Sequence, residues 1–182
     1  MNKTIASLLL LPALLAATPL LAQEHQRVSP HETVEATIAG NEMSVVYGRP
    51  YTKDPKSGEK RKIWGTLVPY GKIWRMGADE ATLFTTQQTI EMGGTTIPAG
   101  TYSLYLLPEE NGDAKLIVNK QTGQWGTKYE ETQDLARISM KKETNTSAPD
   151  QFTIAITETD AAGSLKLMWD DRQYSVAFHA KS

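Results

Sequence analysis

The sequence predicts an all-β fold, an antiparallel β-sandwich of jelly-roll or barrel-like form with one long irregular loop and little helix. Three observations predict it. From Thr33 to the C-terminus apolar residues recur every second position, as on strands whose successive side chains face opposite ways. Glycine, proline and aspartate punctuate that pattern at short intervals. No long stretch has the 3.6-residue period of an amphipathic helix, which argues against a doubly wound nucleotide fold.

The elements follow in order. Val34, Ala36 and Ile38 alternate with polar neighbours, and Gly40-Asn41, which tolerate positive φ, turn the chain into a strand over residues 43–47. Residues 51–62 are charged and broken by Pro55 and Gly58, and read as an exposed loop. Residues 83–90 are strand-like, Gly93-Gly94 turns into residues 95–97, and Pro98-Ala99-Gly100 introduces a strand that places Tyr102, Leu104 and Leu106 on one face. A turn over 109–113 precedes a strand at 115–119, a short helical turn is expected within 129–136, and another strand covers 137–142. Three alternating sets complete the chain: Phe152, Ile154 and Ile156; Leu165, Leu167 and Trp169; Tyr174, Val176 and Phe178. Ala162-Gly163 and Asp170-Asp171 supply their turns. Eight or nine short strands joined this way indicate a sandwich or barrel.

Residues 1–22 have the marks of a secretory signal peptide. Lys3 gives a positive start, residues 5–15 are apolar apart from Ser7 and Pro12, and small Ala22 fits the last position before cleavage, although Leu20 stands where a smaller residue is usual. A membrane-spanning helix needs about 20 uninterrupted apolar residues. Pro12, Thr18 and Pro19 interrupt this one, and there is no cysteine to carry a lipid. The expected product is periplasmic or extracellular, without a membrane anchor after cleavage. It has a loose lead-in over 23–32 and a single domain over 33–182.

Composition narrows the function. The chain has 19 basic and 21 acidic residues and a net charge of −2, which gives no footing for nucleic-acid binding. The absence of cysteine removes thiol catalysis, cysteine metal sites and disulfides. His25, His31 and His179 lack the spacing that brings two imidazoles to one metal, so no metal is expected. Ser44 and Ser103 lie within strands without a nucleophile elbow, no phosphate loop is present, and no cofactor is implied. Asn145-Thr146-Ser147 reads as a polar loop.

The segment over residues 63–82, IWGTLVPYGKIWRMGADEAT, is too irregular for a simple strand. With Tyr47-Gly48-Arg49-Pro50 before it and Pro98-Ala99-Gly100-Thr101-Tyr102-Ser103-Leu104 after it, it resembles an exported bacterial family designated domain of unknown function 2911. The resemblance runs from about Ser29 to Met140. It rests on the W-R-x-G-x-x-E-A-T and P-A-G-T-Y-S-L blocks, and it implies export and a β-rich fold but no reaction. The family pattern usually has asparagine at Asp79 and a tryptophan within 114–119; this chain departs at both places.

The candidate ligand-binding residues are Arg49, Trp74, Arg75, Glu80 and Tyr102. Arginine forks bind carboxylate or phosphate through paired donors, and an aromatic side chain can form a wall beside them. The competing reading is that Glu80 neutralises one arginine and pins the loop to the sheet. Asp79 and Glu80 also suggest acid–base chemistry, but neighbours in extended chain face opposite ways. A second carboxylate would then have to come from elsewhere, such as Asp54 or Asp134. Three functions follow: a non-enzymatic module binding a small molecule or envelope component; a hydrolase of envelope saccharides or esters using Glu80; or a structural envelope protein.

Overall fold

The computed structural model describes residues 27–159 and 162–181; the expected leader lies outside them. Eleven strands are described: β1 (His31–Ile38), β2 (Asn41–Gly48), β3 (Thr82–Thr86), β4 (Ile90–Met92), β5 (Thr95–Ile97), β6 (Gly100–Pro108), β7 (Ala114–Asn119), β8 (Asp134–Thr144), β9 (Thr153–Thr159), β10 (Ala162–Trp169) and β11 (Arg172–Ala180). The helical turn expected within 129–136 is a 3-10 turn at Glu131–Gln133. Among the described residues, no helix is long and apolar enough to cross a membrane.

All strand pairs are antiparallel, in the order β1-β2-β3-β6-β7-β8-β11-β10-β9, with β4 and β5 as a hairpin on β11. β8 pairs with β7 along Asp134–Met140 and with β11 along Lys141–Thr144, so one long strand belongs to both halves of the sheet. The ends of the order, β1 and β9, pack together, and the sheet curls into a nearly closed barrel. The all-β antiparallel class therefore holds, in its barrel-like form. Packing β1 against β9 covers edges that would otherwise offer unpaired backbone groups.

The chain just beyond β2 completes the closure. Phe152 donates its amide to Pro50 O, Thr52 donates to Asp150 O, and Tyr51 bridges Gln151. The interior is filled by alternate side chains, among them Val45, Phe84, Leu104, Leu106, Leu116, Leu165 and Phe178. Each such burial contributes about 1.5–3 kcal/mol. Tyr102, Leu104 and Leu106 share the inner face as the periodicity requires.

Three turn assignments change. Ile38 pairs with Asn41, so Ala39 and Gly40 (φ 50° and 79°) form the first turn, not Gly40-Asn41. Asn41 is buried in β2, donates to Thr86 Oγ1 and accepts from the Gln88 amide. That bond turns the chain at residues 87–89 and divides the expected 83–90 strand into β3 and β4. Ala162 and Gly163 lie inside β10, not in a turn. Gly163 is needed there because a Cβ would meet the Phe178 ring at 2.1 Å.

The connection from Arg49 to Ala81 crosses the end of the barrel where β1, β3, β7, β9 and β11 begin. It delivers Trp64 and Trp74 to an aromatic plug. Trp74 stacks on Trp169 at 5.4 Å between centroids and meets Phe152 edge-on at 4.9 Å. The expected exposed loop over 51–62 is largely exposed, but Lys53 bridges Lys60 and Thr52 is buried, accepting from Trp169 Nε1.

Candidate functional site

The W-R-x-G-x-x-E-A-T segment returns the chain from the plug to β3, and its geometry is set by close backbone approach. A Cβ on Gly77 would lie 2.7 Å from Gly48 O, and one on Gly48 would lie 2.5 Å from Ala78 O. Only paired glycines let the two segments meet, and Ala78 donates its amide to Gly48 O at 3.2 Å. Thr82 Oγ1 then donates to Met76 O at 2.6 Å, inside the protein. Met76 and Asp79 have φ of 52° and 65°. Asparagine and aspartate tolerate this left-handed region best among residues with a side chain, which accounts for Asp79 and for asparagine in the family pattern.

The left-handed turn at Asp79 breaks the alternation expected of neighbouring residues. Asp79 Oδ2 and Glu80 Oε2 both approach His31 Nε2, at 3.4 and 3.5 Å. Arg27 holds Glu80 through two bonds, Nη1 to Oε2 at 2.6 Å and Nη2 to Oε1 at 2.7 Å. These bonds hold the Glu80 carboxyl below the ordinary carboxylate value and raise the Arg27 guanidinium above its own. Arg27 Nη1 also lies 2.6 Å from His31 Nε2. Arginine only donates, so that ring nitrogen accepts. Among the described residues, the Asp79 carboxylate thus has no side-chain donor.

Arg27, His31 and Glu80 line a groove of about 220 Å³ on the outer face of the barrel, with Asp79 just behind the His31 ring. Val46 and Leu83, paired across β2 and β3, form its apolar floor. The far wall is Gly123 and Gln124, with exposed Trp125 bridging Glu80 beside it. Gln124 anchors that wall by donating to Ser103 Oγ at 3.1 Å and Tyr105 Oη at 2.8 Å. Beneath it, Tyr105, Ile117 and Ala81 form a small outer core.

The five sequence-derived candidates occupy separate places. Glu80 lies on the groove. Arg49 pairs with Glu32 at 2.5 Å and donates to Phe152 O and Thr153 Oγ1, across the closure of the barrel. Trp74 belongs to the aromatic plug. Tyr102 faces the core and donates to Pro98 O at 3.0 Å. Arg75 is half-buried against Gly126, with its Nε buried and without a partner among the described residues. Glu80 does neutralise an arginine, but that arginine is Arg27 of the lead-in.

Sequence reasoning missed Arg27, His31, Val46, Leu83, Gln124 and Trp125 as site residues. Trp125 had a local signal, since a tryptophan between Gly123 and Gly126 is placed in a turn with little around it to cover it. The others are joined only by folding. Among the described residues, no group of three or more acidic or histidine side chains is placed to hold a metal ion.

A family model for proteins of unknown function, DUF2911, matches residues 29–178. No curated protein and no solved structure matches the chain.

Proposed function

The chain belongs to the DUF2911 family of proteins of unknown function, and from that premise we propose that it is an exported, non-enzymatic module binding a small cationic ligand with an apolar body. The observation that carries the reading is the uneven charge beside an apolar floor. One guanidinium faces two carboxylates, and among the described residues no donor holds the Asp79 carboxylate, because His31 Nε2, 3.4 Å away, already accepts from Arg27. A ligand amine supplies that donor while its apolar part covers Val46 and Leu83. Trp125 provides an adjacent aromatic face, to which a cation is also attracted. Of the five candidates, Glu80 is retained on the ligand; Arg49, Trp74, Arg75 and Tyr102 support the frame around it.

Titration of the domain with aralkylamines tests this, read by Trp125 fluorescence. Trp64 and Trp169 are buried and Trp74 is partly buried, so Trp125 is the reporter most open to quenching. Saturable binding that weakens at least about tenfold in Asp79→Asn, the size of one charge-assisted hydrogen bond, supports the site. Binding unaffected by both Asp79→Asn and Glu80→Gln removes it. Export is tested separately by the N-terminus of the protein recovered from the periplasm or medium, expected at Gln23.

A hydrolase is the second reading, favoured by the turning of Asp79 and Glu80 to one side. Arg27 keeps Glu80 ionised, which suits a base and opposes a general acid. Hydrolysis of chromogenic glycosides or esters that disappears in Glu80→Gln would favour it over simple binding.

A further inference from the structure

A second cleft, of about 530 Å³, lies beside the aromatic plug, between residues 60–64, Tyr70 and the β10–β11 turn. Four of its side chains are basic, Lys60, Arg61, Lys62 and Arg172, against Asp170 and Asp171. The excess is local, because the chain as a whole carries −2. Lys60 is answered by Asp170 at 2.8 Å, whereas Asp171 comes no nearer to Arg172 than 4.0 Å.

Both arginines hydrogen-bond to neutral groups, although Arg61 also lies near enough to the Asp54 carboxylate to act on it electrostatically. The Arg172 guanidinium carbon lies 5.3 Å from the Trp64 ring and 5.4 Å from the Tyr70 ring. Its nitrogens donate to Tyr70 Oη at 2.7 Å and Tyr174 Oη at 3.4 Å. Arg61 Nη2 donates to the Tyr51 carbonyl, and Arg61 Nε is buried without a partner among the described residues. Lys62 is exposed, with no ion pair among the described residues. Aromatic faces and carbonyls orient a cation without cancelling its charge. The cleft therefore presents oriented donors with unspent positive charge.

We propose that this cleft binds a tetrahedral oxyanion, a phosphate or sulfate group, with Arg61, Lys62 and Arg172 as its donors. Guanidinium and ammonium donors arriving from different directions match an anion with several oxygens, and planar arginine forks suit it well. A free phosphate ester and a phospholipid headgroup offer the same group, so both sources are tested.

The experiment measures thermal shift and calorimetric binding of the domain with inorganic phosphate and with glycerol phosphate, against sodium chloride of equal ionic strength. Cosedimentation with phosphatidylglycerol-containing vesicles, against pure phosphatidylcholine vesicles, forms the lipid arm. The expected result is phosphate-specific stabilisation, with affinity reduced at least about tenfold in the Arg61→Gln/Lys62→Gln variant. Vesicle binding without free-phosphate binding, lost in that variant, places the oxyanion on a lipid and also supports the cleft. Equal effects of phosphate and chloride with no vesicle binding overturn the proposal, as does binding unchanged in exposed Lys62→Gln together with Arg172→Gln. Glu80→Gln leaves this binding intact and Lys62→Gln leaves amine binding intact, so the two sites fail independently.

Discussion

Arg49 Nη2 donates to Thr153 Oγ1 at 2.9 Å, joining residues 104 positions apart across the line where the barrel closes. The same guanidinium donates through Nε to Phe152 O and pairs with Glu32 of β1. The β1–β2 hairpin is thus tied by one planar fork to the start of β9, with which β1 shares no ladder. A nearly closed barrel needs such a tie where its sheet ends pack without pairing, and Tyr47 adds another by accepting the Ile154 amide at its hydroxyl.

Replacing Arg49 with alanine should therefore lower stability by about 2 kcal/mol, the usual worth of hydrogen bonds to a charged group. Lysine should recover less than half, since one ammonium cannot reproduce a planar fork. Urea unfolding monitored by near-ultraviolet circular dichroism measures both. Wild-type stability in Arg49→Ala would mean that the backbone bridges alone close the barrel.

Trp74→Ala should be costlier. Its ring stacks on Trp169 and meets Phe152 and Trp64 edge-on, so truncation opens a void inside the plug. Large aromatic deletions in packed cores cost about 3–5 kcal/mol. A loss under about 1 kcal/mol, typical of surface changes, would show that Trp74 covers the plug without supporting it.

Gly77→Ala tests why the W-R-x-G block carries glycine. The new Cβ would fall 2.7 Å from Gly48 O and 3.3 Å from Thr82 Oγ1. Both neighbours are fixed, the first by backbone and the second by its bond to Met76 O. Overpacking of this kind costs about 1–3 kcal/mol, and the shift should also loosen the Asp79–Glu80 turn. Thermal melting gives the first effect, and weakened amine binding gives the second.

The strands were legible because one face of each is buried, which writes a period of two into the sequence. Hydrogen bonds from distant residues were not legible. Asn41 looks like a turn residue, and only Thr86 and Gln88, more than forty positions away, make it a strand residue. Gly163 also looked like a turn, whereas its missing side chain makes room for Phe178. In the site, the segment carrying Glu80 stood out by composition, but its partner Arg27 lies 53 positions earlier in a polar lead-in. Asp79 misled for a local reason, because alternation assumes extended backbone and Asp79 is left-handed.

Alkaline stability should depend on Tyr129. Burial, and then donation to Asp134 Oδ2 at 2.6 Å, pushes its phenol up to about 12 from 10.0. The folded state therefore favours the neutral phenol. That contribution is complete below pH 10.0 and is lost as the pH rises through about 12. Absorbance at the tyrosinate band should show this residue titrating late, and Tyr129→Phe should abolish the late step. If the titration of the variant matches the wild type, the Asp134–Tyr129–Arg137 network does not hold the proton.

The acid limb should depend on Glu80, with the opposite sign. Arg27 holds its carboxyl below the ordinary value of 4.5, so the folded state favours the charged form. The contribution is present above pH 4.5 and fades as the pH falls through the lowered folded value. The side chains are substantially exposed, 47% for Arg27 and 39% for Glu80. Global stability should hence change little, while docking of the lead-in changes much. Carbon-detected NMR of the Glu80 carboxyl should follow the protonation, and amide protection at residues 27–29, relative to intrinsic exchange rates, should fall in step with it. Salt raised to about 1 M should weaken the same docking at neutral pH, since the screening length then falls to about 3 Å. Glu80→Gln should already show the faster exchange at neutral pH, with the barrel amides unaffected. Protection at residues 27–29 that ignores pH, salt and Glu80→Gln alike would mean that backbone bonds such as Arg49 N to Pro30 O hold the segment, leaving Arg27 free to serve the groove alone.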